Sequence, residues 1–475
     1  MAKTYKTPGV YIEENSNLPP LVAQVETAIP AFIGYTQKAT KSQEGDLNLK
    51  PTRISTLDEY EKYFGSAQQE TTIGVSVIDD VILAAPPDKF TKSPFLMYYS
   101  MQMFFANGGG PCYIVSVGQY DATLSPASNV TFIHLDNGLK EIAKEDEPTL
   151  LVFPDATSLA SDNDFYRIFN NALIQCHDLK DRFTIIDTYR DAEYDGEDPI
   201  ASLRSGISFD KNHLKYGAVY FPFLETTLEY SYDESKIDVV ISSGAITLSS
   251  TAPTSITFKL DTLKTTNKAL YTKIKVKLAR LSVKLPPSSA MAGIYARVDS
   301  YRGIWKAPAN VSLNYVLKPT VKITNEYQNG LSIDPVAGKS INAIRHFTGK
   351  GTLVWDSRTL AGNDNEWKYI PVRRLFIMVE ESIQKATSQF VFEPNHANTW
   401  IRIKAMIEDF LIKLWRNGAI AGTKPEHAFF VMVGLGQTMS SLDILEGRMI
   451  IQIGLAPIRP AEFIICQISQ KMHIA

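Results

Sequence analysis

The sequence predicts a multidomain chain that combines α/β and α+β parts, and three observations lead there. At 475 residues, with 44% apolar and 21% charged side chains, the chain is globular in composition and too long for one ordinary hydrophobic core, so two or three domains are expected. Between Thr149 and Arg302 short apolar runs alternate with helical patterns, the arrangement of a parallel-type sheet covered on both faces. From Ser340 onward two amphipathic helices precede short apolar runs bounded by Gly and Pro, which reads as a separate α+β domain.

Residues 1–24 carry one strand-like stretch, 7–14, bracketed by Pro8, Pro19 and Pro20. Proline is confined to strand edges and ends, so an extended N-terminal arm is expected. A first region, 25–120, opens with a buried strand at 28–35 and a short helix at 57–64 that closes on Gly65. A helix at 95–105 then runs into Asn107-Gly108-Gly109-Gly110 and a strand at 112–117. Glycines can cradle an anion, but phosphate loops join a strand to the N-terminus of the following helix. This cluster follows a helix C-terminus, where glycine is an ordinary cap.

The α/β region, 121–339, shows strands at 150–153, 183–187 and 218–223, with helices at 164–177 and 200–206. Inside it, residues 225–284 are crowded with Ser and Thr and break the alternation. Ile256, Phe258 and Leu260, and then Ile274, Val276 and Leu278, recur at every second position, the latter interleaved with Lys273, Lys275 and Lys277. A β-rich insert is therefore expected. Its lysine row suits a contact surface for sugar, lipid or an acidic partner. The preferred reading is an edge strand guarded against unwanted pairing.

The C-terminal domain, 340–462, centres on a tight Glu393-Pro394-Asn395 turn between two helices. Val372, Leu375, Phe376, Val379 and Ile383 form the stripe of the first, which starts behind Pro371, a residue tolerated in a first turn because it has no N–H to lose. Trp400, Ile403, Ile407, Phe410, Leu411 and Leu414 form the stripe of the second, 398–417, which Gly418 ends. Strands are expected at 429–433, 449–455 and 463–468, the last inside a C-terminal arm, 463–475.

No catalytic constellation emerges. The seven histidines are scattered, and His-Glu-x-x-His, Gly-x-Ser-x-Gly and Cys-x-x-Cys patterns do not occur. Cys112, Cys176 and Cys466 lie far apart, giving neither a disulfide framework nor a thiolate cluster and matching a reducing cytoplasm. Gly338-Lys339-Ser340 would need a glycine five positions before Gly338 to form a phosphate loop, and Ile333 stands there. Asp155 and Asp187 sit at strand ends, where α/β enzymes often keep catalytic groups, but acidic residues are also common turn formers there. No catalytic residue, cofactor or metal is assigned, and no enzyme is expected. A formal charge of −3 argues against a partner bound by phosphate neutralisation, so no nucleic acid is expected. No apolar run approaches the length of a membrane span and no signal core opens the chain, so direct membrane insertion is not expected.

Several blocks, in order, resemble contractile tail sheath proteins. They are Ile341-Asn342-Ala343-Ile344-Arg345, Gly349-Lys350-Gly351, Val354-Trp355-Asp356-Ser357-Arg358-Thr359-Leu360-Ala361, Val372-Arg373-Arg374-Leu375-Phe376 and Phe392-Glu393-Pro394-Asn395. The likeness continues through Leu414-Trp415-Arg416-Asn417-Gly418-Ala419, Pro425-Glu426-His427-Ala428, Glu446-Gly447-Arg448 and Ala456-Pro457-Ile458-Arg459-Pro460. Pro8-Gly9-Val10-Tyr11-Ile12, the Phe104 to Gly110 segment, Pro286 to Arg297 and Gly303 to Asn310 are similar to the same family, so the likeness covers most of the chain.

The resemblance implies a structural subunit that polymerises as stacked hexameric rings around an inner tube and contracts to drive that tube through a target envelope. Expected partners are further copies of the chain, the inner tube protein, and baseplate and terminator or cap proteins. The particle would assemble in the bacterial cytoplasm and become part of a phage tail or tail-like particle. By the same resemblance the C-terminal domain faces the tube and the α/β region is outermost. Arm contacts between subunits fall to Pro8, Gly9, Val10, Tyr11, Ile12, Phe463, Ile464, Ile465 and Ile468. On the second helix, Ile401, Lys404, Ile412 and Arg416 lie off the main stripe and are candidates for a tube or subunit contact, with a broader buried face as the equal alternative. An α/β hydrolase and a non-contractile shell or filament subunit are the competing functions.

Overall fold

The computed structural model describes residues 21–87, 92–120, 130–191, 198–242, 255–334 and 336–462. These residues fall into two compact bodies: a larger one from 26–378 and 458–462, and a smaller one from 21–25 and 379–457. Of the two expected arms, 1–24 and 463–475, residues 1–20 and the whole of the second lie outside the described residues.

The larger body is built on a nine-stranded sheet. Across it run Val311–Ser312, Gly351–Val354, Ile341–Phe347, Gly217–Phe221, Phe183–Ile186, Leu150–Val152, Pro30–Thr36, Cys112–Gln119 and Thr52–Ile54. The six strands from Ile341–Phe347 to Cys112–Gln119 pair in parallel, whereas the flanking strands are antiparallel. The inner strands Phe183–Ile186 and Gly217–Phe221 are buried along their whole length, as a parallel sheet covered on both faces requires.

Helices close over this sheet through the stripes that the sequence shows. Asp162–Leu179 buries Phe165, Ile168, Phe169, Ala172, Leu173 and Cys176 at three-to-four spacing. Met97–Ala106 packs beside Ser288–Arg302 so closely that a Cβ added at Gly293 would lie 2.5 Å from the Phe104 carbonyl oxygen. Leu57–Phe64 is capped by Thr56 and ends at Gly65, as expected.

Three expectations need correction. The expected boundaries at 120/121 and 339/340 both fall inside the central sheet, because Pro30–Thr36 pairs with Leu150–Val152 across the first and Ile341–Phe347 pairs with Gly217–Phe221 across the second. Local periodicity identifies a strand, but a parallel strand pairs with partners remote in sequence. The observed division instead passes within the helix Ile370–Thr387, after Met378.

The third correction concerns the insert. Ser255–Lys259 is a strand, but 273–278 belongs to the helix Lys268–Leu278. Ile274 and Leu278 are four residues apart and buried, while Val276 is 51% exposed, so one helical face, not one face of a strand, carries the apolar load. The insert is completed from outside its expected limits: Gly74–Ile78 and Val81–Ala85 join Asp238–Ser242 and Ser255–Lys259 in a four-stranded sheet. Ile73, Val75, Val77, Val239, Leu260, Leu263, Ile274 and Leu278 form its separate core.

In the smaller body the helix Ala397–Arg416 buries Ile403, Met406, Ile407, Phe410, Leu411 and Leu414. It stops where Gly418 takes φ +79°, which a side chain would resist. A two-stranded antiparallel sheet follows, Phe429–Met432 against Gln452–Leu455.

Candidate functional site

The positions with the most chemical promise in the sequence turn out to hold the fold together. Asp155 is fully buried and accepts from the backbone N–H of Tyr35 (2.7 Å) and of Leu96 (2.6 Å), the latter at the start of the Met97–Ala106 helix. Asp187 accepts from the Ser288 N–H (2.9 Å) and hydroxyl (2.5 Å) at the head of Ser288–Arg302. Both carboxyls thus serve as caps supplied from a strand end, and burial pushes each up to about 7. Lys339 donates its ammonium to the Arg204 carbonyl (2.5 Å) and the Ile207 carbonyl. That places a cation at the C-terminus of Pro199–Gly206, where the helix dipole favours it, and leaves it no role at a phosphate. Gly108 and Gly109 donate to the Phe105 and Phe104 carbonyls and cap their helix. Among the described residues, no group of His, Cys, Asp or Glu is arranged to hold a metal ion, and no helix is long and apolar enough to cross a membrane.

The features left over are surfaces and anchors. In the sheet of the smaller body, Ala456 N donates to Ala428 O at 2.9 Å, which sets the alternation of the ladder. Ala428, Phe430 and Met432 therefore face their partners, while the backbone of Phe429, Val431, Ile453 and Leu455 points outward. Both outer edges lack a pairing strand along these residues among those described. Phe430 is 47% exposed beside them. Asn395 ties the Glu-Pro-Asn turn to the same region, donating to the Arg448 carbonyl (3.0 Å) and accepting from the Trp400 indole (2.7 Å).

On Ala397–Arg416, Ile401 is 65% exposed and Arg416 is exposed. Lys404 is half-buried, with its ammonium 3.8 Å from Glu408. Ile412 is half-buried, so the four candidates form a mixed, partly covered row. Pro8, Gly9, Val10, Tyr11, Ile12, Phe463, Ile464, Ile465 and Ile468 lie outside the described residues.

The residues that lead to the two arms are firmly held. Thr27 donates to Asp299 (2.7 Å), and Arg374 bonds both the Thr27 carbonyl (2.7 Å) and Asp299 (2.5 and 3.0 Å) while lying 4.5 Å over the Tyr295 ring. Tyr295 in turn shares a 2.8 Å hydrogen bond with Tyr220 on the central sheet. Glu462, the last described residue, receives a bidentate bond from Arg358 at 2.8 and 2.7 Å, and this guanidinium pulls the Glu462 carboxyl below its usual range despite partial burial. Sequence reading missed these networks. The signal was an Arg373-Arg374 pair inside an apolar helical stripe, since a buried guanidinium demands a partner.

A model of the phage tail sheath C-terminal domain matches residues 362–471. Over 115 residues the chain is 27% identical to the tail sheath protein of Enterobacteria phage T4, a stretch that covers 24% of this chain and 17% of that protein. The helical sheath of the anti-feeding prophage, solved in the contracted state, is 33% identical, with a TM-score of 0.64 over 98% of this chain and all of that one. The chain belongs to the contractile tail sheath family. The contracted sheath complex of the extracellular contractile injection system PVC is 29% identical, with a TM-score of 0.64 over 99% of both chains. The protein is a contractile sheath subunit of a tail-like particle, and the proteins it matches are structural.

Proposed function

We propose that this sheath subunit polymerises as stacked hexameric rings around an inner tube and drives that tube through a target envelope by contracting, without catalysis. The observation that carries this reading is the pair of open edges on the two-stranded sheet of the smaller body, combined with bonded anchors next to both arms. Each arm of one subunit adds a strand to that sheet in a neighbour. Phe429, Val431, Ile453 and Leu455 supply the outward backbone groups, and the arms supply 8–12 and 463–468. Strand addition suits a moving lattice because its hydrogen bonds come from the main chain and tolerate sequence change. Each bond contributes only about 0.5–1.5 kcal/mol net, yet several per arm survive when the bodies they tether swing.

Contraction then requires two lattice packings that differ by a few kcal/mol per subunit. Assembly on a baseplate and around the tube holds the extended packing, and triggering releases it. The baseplate and contracted-sheath structures named for the anti-feeding prophage support these partners. A terminator caps the stack, and the particle assembles in the bacterial cytoplasm before release. The C-terminal domain faces the tube through Ile401, Lys404, Ile412 and Arg416, with the insert on the outside.

Deleting residues 1–14 tests the mechanism. The truncated chain is expected to stay a folded, soluble monomer that forms no cylinders by negative-stain microscopy. Cylinders of normal length from the truncated chain would refute strand exchange.

A further inference from the structure

The insert carries a feature on which the proposed strand exchange does not draw. Gly74–Ile78 and Val81–Ala85 form a hairpin around Asp79 and Asp80, both in the left-handed region at φ +48° and +63°, the two-residue turn that matches strand twist. In such a hairpin Ile78 and Val81 form a hydrogen-bonded pair, so the backbone groups of Ile82 and Ala84 point away from the partner strand. Val81–Ala85 is the last strand of its sheet, and neither residue has a backbone partner on that side among those described.

The helix Lys268–Leu278 packs beside this open edge. Together they enclose a groove of about 720 Å³, whose lining includes Val81, Ile82 and Val276, the cations Lys273, Lys277 and Arg280, and one acidic residue, Asp80. A volume of this order suits a short peptide or a small ligand. Lys273, Lys277 and Arg280 are exposed, and their side chains make no hydrogen bond or ion pair with the described residues. Lys275, by contrast, is bonded to Glu234 at 2.9 Å and to Tyr232 at 2.7 Å. The helix thus keeps one cation for its own structure and presents Lys273 and Lys277 at i and i+4, on a single face, with Arg280 in the turn that follows. An edge-guarding role for these lysines fails because they do not lie on a strand.

The structure assigns this edge, we propose, as the docking site of a partner's extended peptide in which acidic residues alternate with apolar ones. The alternation follows from the pleat. In an added strand, residues opposite Ile82 and Ala84 face the helix, where carboxylates meet Lys273, Lys277 and Arg280. Residues opposite Val81 and Leu83 lie on the other face, which these side chains leave 59% and 52% exposed and apolar partners would extend. A bare polyanion would use the cations but neither the strand edge nor that apolar face.

The test is anisotropy of a labelled, capped Val-Glu-Val-Glu-Val peptide against the full-length protein, with Val-Lys-Val-Lys-Val and a heparin oligosaccharide as comparators. The glutamate peptide is expected to bind at least about tenfold more tightly than the lysine peptide and to weaken with salt. It should also slow hydrogen exchange at the Ile82 and Ala84 amides. K273E/K277E on the exposed helix face and Ala84→Pro, which removes an outward N–H while sparing the hairpin ladder, should each abolish that preference. Equal binding of both peptides, or of heparin to wild type and Ala84→Pro alike with no exchange protection, overturns the proposal. So does protection of Ile82 and Ala84 in assembled cylinders without peptide, which would assign the edge to a neighbouring subunit.

Discussion

Replacing Asp299 by Asn is the most informative single perturbation of the larger body. Asp299 lies 2.5 Å from Arg374, with side-chain exposures of 7% and 3%. An amide keeps the volume but removes the anion and turns one acceptor into a donor, so Nδ2 faces an Arg374 N–H in either orientation, and in one of them the Thr27 hydroxyl as well. Arg374 cannot escape by deprotonating. Removing one partner of a buried pair costs about 3–5 kcal/mol, and the Tyr295 face recovers about 1 kcal/mol of that at most. With a urea slope of about 3–4 kcal/mol/M for a body of this size, the unfolding midpoint should fall by about 1 M. Urea titration followed by far-UV circular dichroism reads this directly. The double variant Arg374→Met, Asp299→Leu removes both charges and should regain most of the loss. A midpoint shift below about 0.2 M for Asp299→Asn, or a double variant no better than the single one, would refute the reasoning.

Further outcomes follow from the same structure. The Asp187 carboxyl is pushed up to about 7 by burial, whereas an unfolded aspartate titrates near about 4. The folded state therefore holds the extra proton between these values, and stability contributed by this group falls as pH rises from about 4 to 7, by up to about 1.4 kcal/mol per pH unit. Asp187→Asn, which can still accept from the Ser288 N–H, should flatten that slope in urea melts at pH 5 and 7. Gly293→Ala places a Cβ 2.5 Å from the Phe104 carbonyl and should cost about 1–3 kcal/mol, read as a lowered thermal midpoint. Arg416→Glu, on an exposed last-turn position, should lower that midpoint only slightly, by the loss of about 0.3–1 kcal/mol of helix-dipole stabilisation, and reduce copurification of tube with sheath; undiminished copurification would remove Arg416 from the contact.

Elements with one strong local pattern were legible without coordinates. The Leu57–Phe64 helix with its Thr56 and Gly65 ends, the Asp162–Leu179 helix and the Ala397–Arg416 stripe all follow from spacing and caps. The insert helix did not, because Ile274, Val276 and Leu278 fit a period of two as well as the i, i+4 pair that the core uses. Only the Asn267 cap, which accepts from Leu270 N, marked the helix start. Asp155 and Asp187 illustrate the same ambiguity in a site, since an acidic residue at a strand end is a catalyst or a cap depending on which N–H groups arrive opposite it.

The sequence by itself determined the class of the chain, most of its helices and its sheath-like C-terminal blocks, since these depend on composition and on neighbours within a few residues. Tertiary structure alone decided that strands from 30–36 to 341–347 share one sheet, that Arg374 finds Asp299, and that the edges of the two-stranded sheet and of Val81–Ala85 lack a pairing strand among the described residues. Each of these depends on which remote segments meet, and burial makes that choice for the whole chain together rather than residue by residue.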